Sequence, residues 1–119
     1  MIEKSQAKHI TAGQQAEKIA ATFLQKNGLK LVTQNYRCTY GEIDLVMLDV
    51  KTLVFVEVRL RNNQKFGGAG MSINQSKQQK LARTAEFYLQ THGDSACRFD
   101  AVLLHALDIS AVKWIKNAF

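Results

Sequence analysis

Cysteine is scarce in this chain. Of 119 residues only Cys38 and Cys97 carry a thiol, and they lie far apart. That is too few for a disulfide framework or a cysteine metal site, and it points to a reducing, cytoplasmic compartment. Proline is absent altogether, from which nothing functional follows. No apolar run approaches the roughly 18 residues that a membrane span needs, so no membrane partner is expected. The opening stretch MIEKSQAKHI has no apolar centre, and no secretory leader is expected there. His9, His92 and His105 show no ligand-like spacing. No serine or cysteine sits in a nucleophile motif, and no phosphate-loop spacing occurs.

What is present is an ordinary globular composition, 46% hydrophobic and 22% charged, which excludes wholesale disorder. The length suits a single domain over 1–119, with residues 1–10 the stretch open to disorder. Sixteen Lys+Arg against ten Asp+Glu leave a net charge of +6. The resulting pI near 9.5 favours polyanionic partners.

Apolar residues at helical spacing (Ala16, Ile19, Ala20, Phe23, Leu24) predict a helix over Thr11–Asn27, capped by Thr11 and stopped at Gly28. Leu29–Gln34 reads as a short strand. Two β-rich runs follow, Glu42–Leu48 and Thr52–Arg61, joined by a short polar break of open turn type. Asn62–Ile73 is a polar, glycine-bearing loop. Leu81, Ala85, Tyr88 and Leu89 mark a second helix over Asn74–Thr91. Cys97–Leu107 and Ala111–Ile115 are the last strands. The order α-β-β-β-α-β-β implies an α/β fold, a mixed sheet flanked by helices.

The central hairpin carries the chemistry. If it turns between Val50 and Lys51, facing residues sum to 101, so Asp44 faces Glu57 and Glu42 faces Arg59. Side chains two apart share a face. One face then carries Glu42, Asp44, Glu57, Arg59 and Arg61, and the other an apolar row of Ile43, Leu45, Met47, Val54, Val56 and Val58. Two carboxylates about 5 Å apart repel by roughly 3 kcal/mol at an effective dielectric of 20. A fold tolerates that with a proton, a cation or an arginine between them. Two explanations stand. Arg59 and Arg61 neutralise Glu42, Asp44 and Glu57 as a salt-bridge cluster at a solvated sheet end. Alternatively the acids hold a divalent metal with oxygen ligands, which can activate water and stabilise charge on a phosphodiester.

Gly41-Glu42-Ile43-Asp44-Leu45-Val46 and Phe55-Val56-Glu57-Val58-Arg59-Leu60-Arg61 resemble the YraN-like family of small uncharacterised bacterial proteins. That family is grouped with restriction-endonuclease-like, Holliday-junction-resolvase-like nucleases. Gly13-Gln14-Gln15-Ala16-Glu17, Asn35-Tyr36-Arg37, Phe66-Gly67, Ser72-Ile73, Lys77 and Arg98-Phe99-Asp100 extend the likeness over nearly the whole chain. The resemblance implies a restriction-endonuclease-like fold and an Asp…Glu-x-Lys nuclease core acting on DNA. Asp44 and Glu57 would be ligands for Mg²⁺ or Mn²⁺, and Glu17 a further acid at the metal. Resolvase-like enzymes often act as dimers, so a homodimer belongs to the same expectation.

Arg59 stands where the pattern has lysine. Arginine stays charged above pH 12 and cannot serve as a base, but it can hold a phosphate bidentately. Arg59 therefore keeps an electrostatic role and favours a rival reading, a non-catalytic nucleic-acid- or partner-binding module on a nuclease scaffold. A purely structural or bridging role is third. Lys77, Lys80 and Arg83, with Arg61, are candidate phosphate contacts; a plain solvated helix face would look the same. Glu42 is a further candidate at the site. Asp100 is also a candidate, although an ion pair with Arg98 is its simplest account. Phe66–Gly70 reads equally as a mobile lid or a plain connection. Trp114 reads as core or interface packing.

Overall fold

The computed structural model describes residues 10–61 and 73–119. Helix α1 spans Ala12–Lys26. Strands β1 (Lys30–Cys38), β2 (Gly41–Asp49) and β3 (Thr52–Leu60) follow. Helix α2 spans Gln75–His92, and β4 (Cys97–Leu104) and β5 (Val112–Ile115) complete the chain. The expected order is therefore the observed one. Beyond that outline, β1 runs on through Cys38, and β4 stops at Leu104. The glycine loop at 66–70 lies outside the described residues.

The five strands form one sheet in sequential order. β1, β2 and β3 are antiparallel neighbours, β3 and β4 run parallel, and β5 returns antiparallel to β4. A parallel pair needs a long crossover, usually a helix, and α2 lies in the connection between β3 and β4.

Each helix covers one side of the sheet. Thr11 caps α1: its hydroxyl accepts from the Gln14 N–H (3.1 Å) while the Gln14 side chain accepts from the Thr11 N–H (3.0 Å). The buried stripe Ala16, Ala20, Ala21 and Leu24 packs with Leu45, Met47, Val54, Val56, Val102 and Leu104. Three alanines in that stripe let the helix sit close to the strands. On the other side Leu81, Ala85 and Tyr88 of α2 pack with Ile43, Val46, Leu53 and Phe55.

The hairpin register is the one in which facing residues sum to 101, from Leu45–Val56 to Asp49–Thr52. Its two turn residues are Val50 and Lys51, and Val50 has a positive φ of 57°. A β-branched residue is strained there, and the side chain is 84% exposed, so nothing is gained in return. Val50→Gly is expected to stabilise the fold by about 1 kcal/mol, read as a higher urea midpoint with an unchanged slope.

The apolar row expected on one face of β2 is broken. Ile43 packs on the α2 side, with Val46, whereas Leu45 and Met47 pack on the α1 side. Strict alternation would have kept Ile43 with Leu45. The change of side falls at Asp44. In β1, Asn35 lies between the partners of Leu45 and Ile43 (Gln34 and Tyr36) and has a positive φ of 51°. Asparagine tolerates that conformation better than most residues. The two irregularities together turn the chain over at the end of the hairpin where the acids lie.

Candidate functional site

The β2–β3 ladder closes at Leu45–Val56, and beyond it the strands are joined by a side chain. The Val58 N–H donates to Asp44 Oδ2 at 2.8 Å. A carboxylate thus takes the place of a backbone carbonyl. Asp44 is thereby fixed at the mouth of the diverging strands.

Glu17, from α1, reaches the same place. Its carboxyl lies beside the Asn35 side chain and close enough to Asp44 for each to act on the other's charge. Two carboxyls this close repel unless one keeps a proton or a cation comes between them. Burial raises the Asp44 carboxyl to about 7, against the lowering effect of the Val58 N–H, and the charges of Glu57, Glu17 and Glu42 push the same way. Glu17 is also raised, first by burial and then by Glu42. No ion pair involves Asp44 among the described residues.

Glu57 has a different environment. It is 7% exposed in the middle strand of the sheet. Lys77 Nζ lies 2.8 Å from its Oε2, and Arg59 Nε lies 3.7 Å from the same oxygen. The lysine is delivered by the start of α2, where the Asn74 side chain caps the helix by accepting from the Lys77 N–H at 2.8 Å. An open groove of about 340 Å³ is lined by Glu57, Val58, Arg59, Leu60, Arg61 and Lys77.

The other candidates separate. Glu42 has Arg37 of β1 as its cross-strand neighbour and ion-pair partner (3.3 Å), not Arg59. The expected basic row on α2 divides. Lys77 joins Glu57, Lys80 stays exposed, and Arg83 faces a separate hollow with Tyr40 and Phe87. Asp100 is fully buried in a network of its own. Its carboxylate accepts from Arg98 Nε (3.0 and 3.2 Å), Trp114 Nε1 (2.9 Å) and the Asn117 N–H (3.0 Å). Trp114 accordingly serves packing, edge-on to Phe23 at 6.2 Å. Two residues without an assigned role in the sequence matter here. Asn35 lies beside Glu17 and favours its charged form, and Arg37 takes Glu42. Both belong to the Asn35-Tyr36-Arg37 run, which was the available signal.

The donors around Asp44 are all oxygen, the class that Mg²⁺ and Mn²⁺ prefer. Among the described residues no three His, Cys, Asp or Glu stand in a metal-holding arrangement. Asp44 and Glu17 form a pair, while Glu57 is turned to Lys77. A pair is still compatible with Mg²⁺, which commonly uses one or two carboxylates and takes further oxygens from water and substrate phosphate. No helix among the described residues is long and apolar enough to cross a membrane.

The sequence comparisons place this site in a family. A model described as uncharacterised protein family UPF0102 matches residues 16–104. A UPF0102 protein of Methylobacillus flagellatus is 52% identical over 107 residues, covering 90% of this chain and 95% of the relative. One from Nitrosomonas europaea is 53% identical over 108 residues, covering 90% and 92%. One from Pseudomonas fluorescens is 46% identical over 114 residues, covering 93% and 94%. All the candidate acids and Arg59, Arg61 and Lys77 fall inside the matched span, and the chain belongs to the uncharacterised family UPF0102, the YraN-like proteins.

Proposed function

We propose that this protein is a divalent-metal-dependent nuclease of restriction-endonuclease-like type, acting on DNA phosphodiesters at the open end of the β2–β3 hairpin. One observation carries the reading: Asp44 and Glu17 are crowded together with no ion pair to Asp44 among the described residues, while Arg59, Arg61 and Lys77 line the adjoining groove. Crowded carboxyls of this kind cluster at functional sites, where a cation favours their charged forms. Asp44 and Glu17 would hold Mg²⁺ or Mn²⁺, with Glu57 joining once Lys77 turns away. Such an ion, when bound, supplies Lewis-acid stabilisation to the charge that develops on a phosphodiester oxygen.

The chain's own residues do the remainder. The Val58 N–H orients the Asp44 carboxyl, and Asn35 lies beside that of Glu17. Arg59 and Arg61 neutralise the phosphate. Lys77, half exposed at the groove, is within reach of the same anion. Cytoplasmic residence and a homodimer remain part of this proposal, on the grounds given for the sequence.

The test is cleavage of branched, nicked and single-stranded DNA with Mg²⁺ or Mn²⁺. Wild type is expected to cleave at least one of them, and Asp44→Ala to lose about 100-fold or more, the scale of several kcal/mol of lost charge stabilisation. Cleavage that survives the substitution overturns the assignment. Arg59 favours a second reading, a non-catalytic DNA-binding module. It expects salt-sensitive binding without cleavage, and Arg59→Lys restoring cleavage would show the scaffold otherwise complete.

A further inference from the structure

We propose that the hollow between the β1–β2 turn and α2 seats an unpaired nucleobase, so that the substrate carries a single-stranded segment beside the phosphate held in the groove of Arg59, Arg61 and Lys77. The inference rests on the nucleic-acid reading above. The hollow measures about 200 Å³ and is lined by Tyr40, Arg83, Glu86, Phe87 and Gln90. It is below the roughly 300–1,000 Å³ of pockets that enclose drug-sized ligands, so it suits one ring system rather than a whole nucleotide.

Its walls have the chemistry of a base site. Tyr40 is 46% exposed, one of the few large side chains of its kind left in water. Its ring and that of Phe87 lie 6.0 Å apart at 60°, an open wedge rather than a closed stack. Unpaired bases stack on aromatic rings and on guanidinium planes, and Arg83 supplies the latter. Glu86 and Gln90 offer acceptor and donor groups to a base edge. A carboxylate in the lining argues against a bare phosphate as occupant.

The hollow is firmly built. Gly41, next to Tyr40, has a φ of +150°, and a Cβ there would meet Thr84 Oγ1 of α2 at 3.1 Å. The turn is thus pressed against the helix, and a larger residue at 41 would lift Tyr40 away.

Its distance from the proposed phosphate site is set twice. Tyr40, in the turn before β2, precedes Asp44 by four residues, at most about 13 Å at the extended rise. Phe87 lies ten helical residues after Lys77, about 15 Å. Both correspond to roughly four nucleotides of a stacked strand at about 3.4 Å each. A single strand of about that length is long enough to reach from one place to the other.

The test is fluorescence anisotropy in EDTA, where nothing is cleaved, on a DNA fork with single-stranded arms and a blunt duplex of equal length. Tyr40→Ala is expected to weaken fork binding about fivefold or more and leave the duplex unchanged, and Tyr40→Phe to keep fork binding. Quenching of 2-aminopurine placed in the arm should vanish in Tyr40→Ala. Equal losses on both DNAs, or no loss on the fork, overturn the base seat while leaving the nuclease reading intact. If wild type binds neither DNA, the nucleic-acid reading fails and this inference fails with it.

Discussion

Asp44→Asn should make the protein more stable at pH 8, by about 2–4 kcal/mol, while abolishing metal-dependent cleavage. The ordinary expectation for a polar residue in a hydrogen-bonded, largely buried position is the reverse. Asparagine keeps an oxygen to accept the Val58 N–H, so the bridge between the diverging strands survives. What disappears is a charge that its surroundings oppose. In the folded protein burial and three neighbouring acids raise the Asp44 carboxyl from 3.8 to about 7.

The dependence on pH follows. Below about 3.8 the group is protonated whether folded or unfolded, and the substitution changes little. Between about 3.8 and 7 the unfolded chain gives up the proton and the folded chain retains it. Wild type then loses stability as pH rises, by up to about 1.4 kcal/mol per unit. Above 7 the full penalty stands. The gap between variant and wild type should therefore open from pH 4 to 7 and remain constant beyond. Urea unfolding at pH 4, 6 and 8 measures it. Saturating Mn²⁺ should narrow the gap at pH 8, because a ligand of the native state stabilises wild type alone. A variant less stable than wild type at pH 8 would show that Asp44 serves the fold.

Asp100→Ala, in contrast, should cost about 3–5 kcal/mol at neutral pH, which lowers the melting temperature by roughly 10–20 °C. Removing the carboxylate strips the acceptor from Trp114 Nε1 and from the Asn117 N–H. It also leaves the Arg98 guanidinium with Asp49 alone, at 3.0 Å. Arg98 Nη2 already lacks a hydrogen-bond partner among the described residues, so no reserve contact is at hand. Replacing Arg98 by methionine as well should recover part of the loss, since an apolar pair costs less than a stranded charge. Calorimetry on the two single variants and the double gives the coupling. Full additivity would mean that Arg98 and Asp100 act separately. Asp44 and Asp100 thus make opposite demands: one acid strains the fold and the other secures it.

The element order was legible because the local signals agree. Ala16, Ala20 and Leu24 repeat at helical spacing, and Thr11 with Gln14 forms a cap that any reader of sequence would seek. The hairpin register was legible too, since Asp49 and Thr52 leave only two residues for the turn. Asn35 was not. Its left-handed backbone lies opposite the place where Ile43 and Leu45 part to different sides of the sheet, and nothing in the alternation of β2 announces it. The partners of the acids were legible only in part. Lys77 meets Glu57 across the whole β3–α2 connection, and Tyr40 meets Phe87, 47 residues further along the chain. Contacts of that range leave no periodic trace.

The unevenness of β1 has one further consequence. It is an outermost strand of the sheet, and such strands invite a second polypeptide to pair along them. A register shift between Leu31 and Thr33 and the reversed backbone at Asn35 interrupt its hydrogen-bonding rim twice within a few residues. Neither interval is long enough to template an intruding β-chain. The same kink, opposite the acidic end of β2, leaves β1 a poor template for edge-to-edge pairing between molecules.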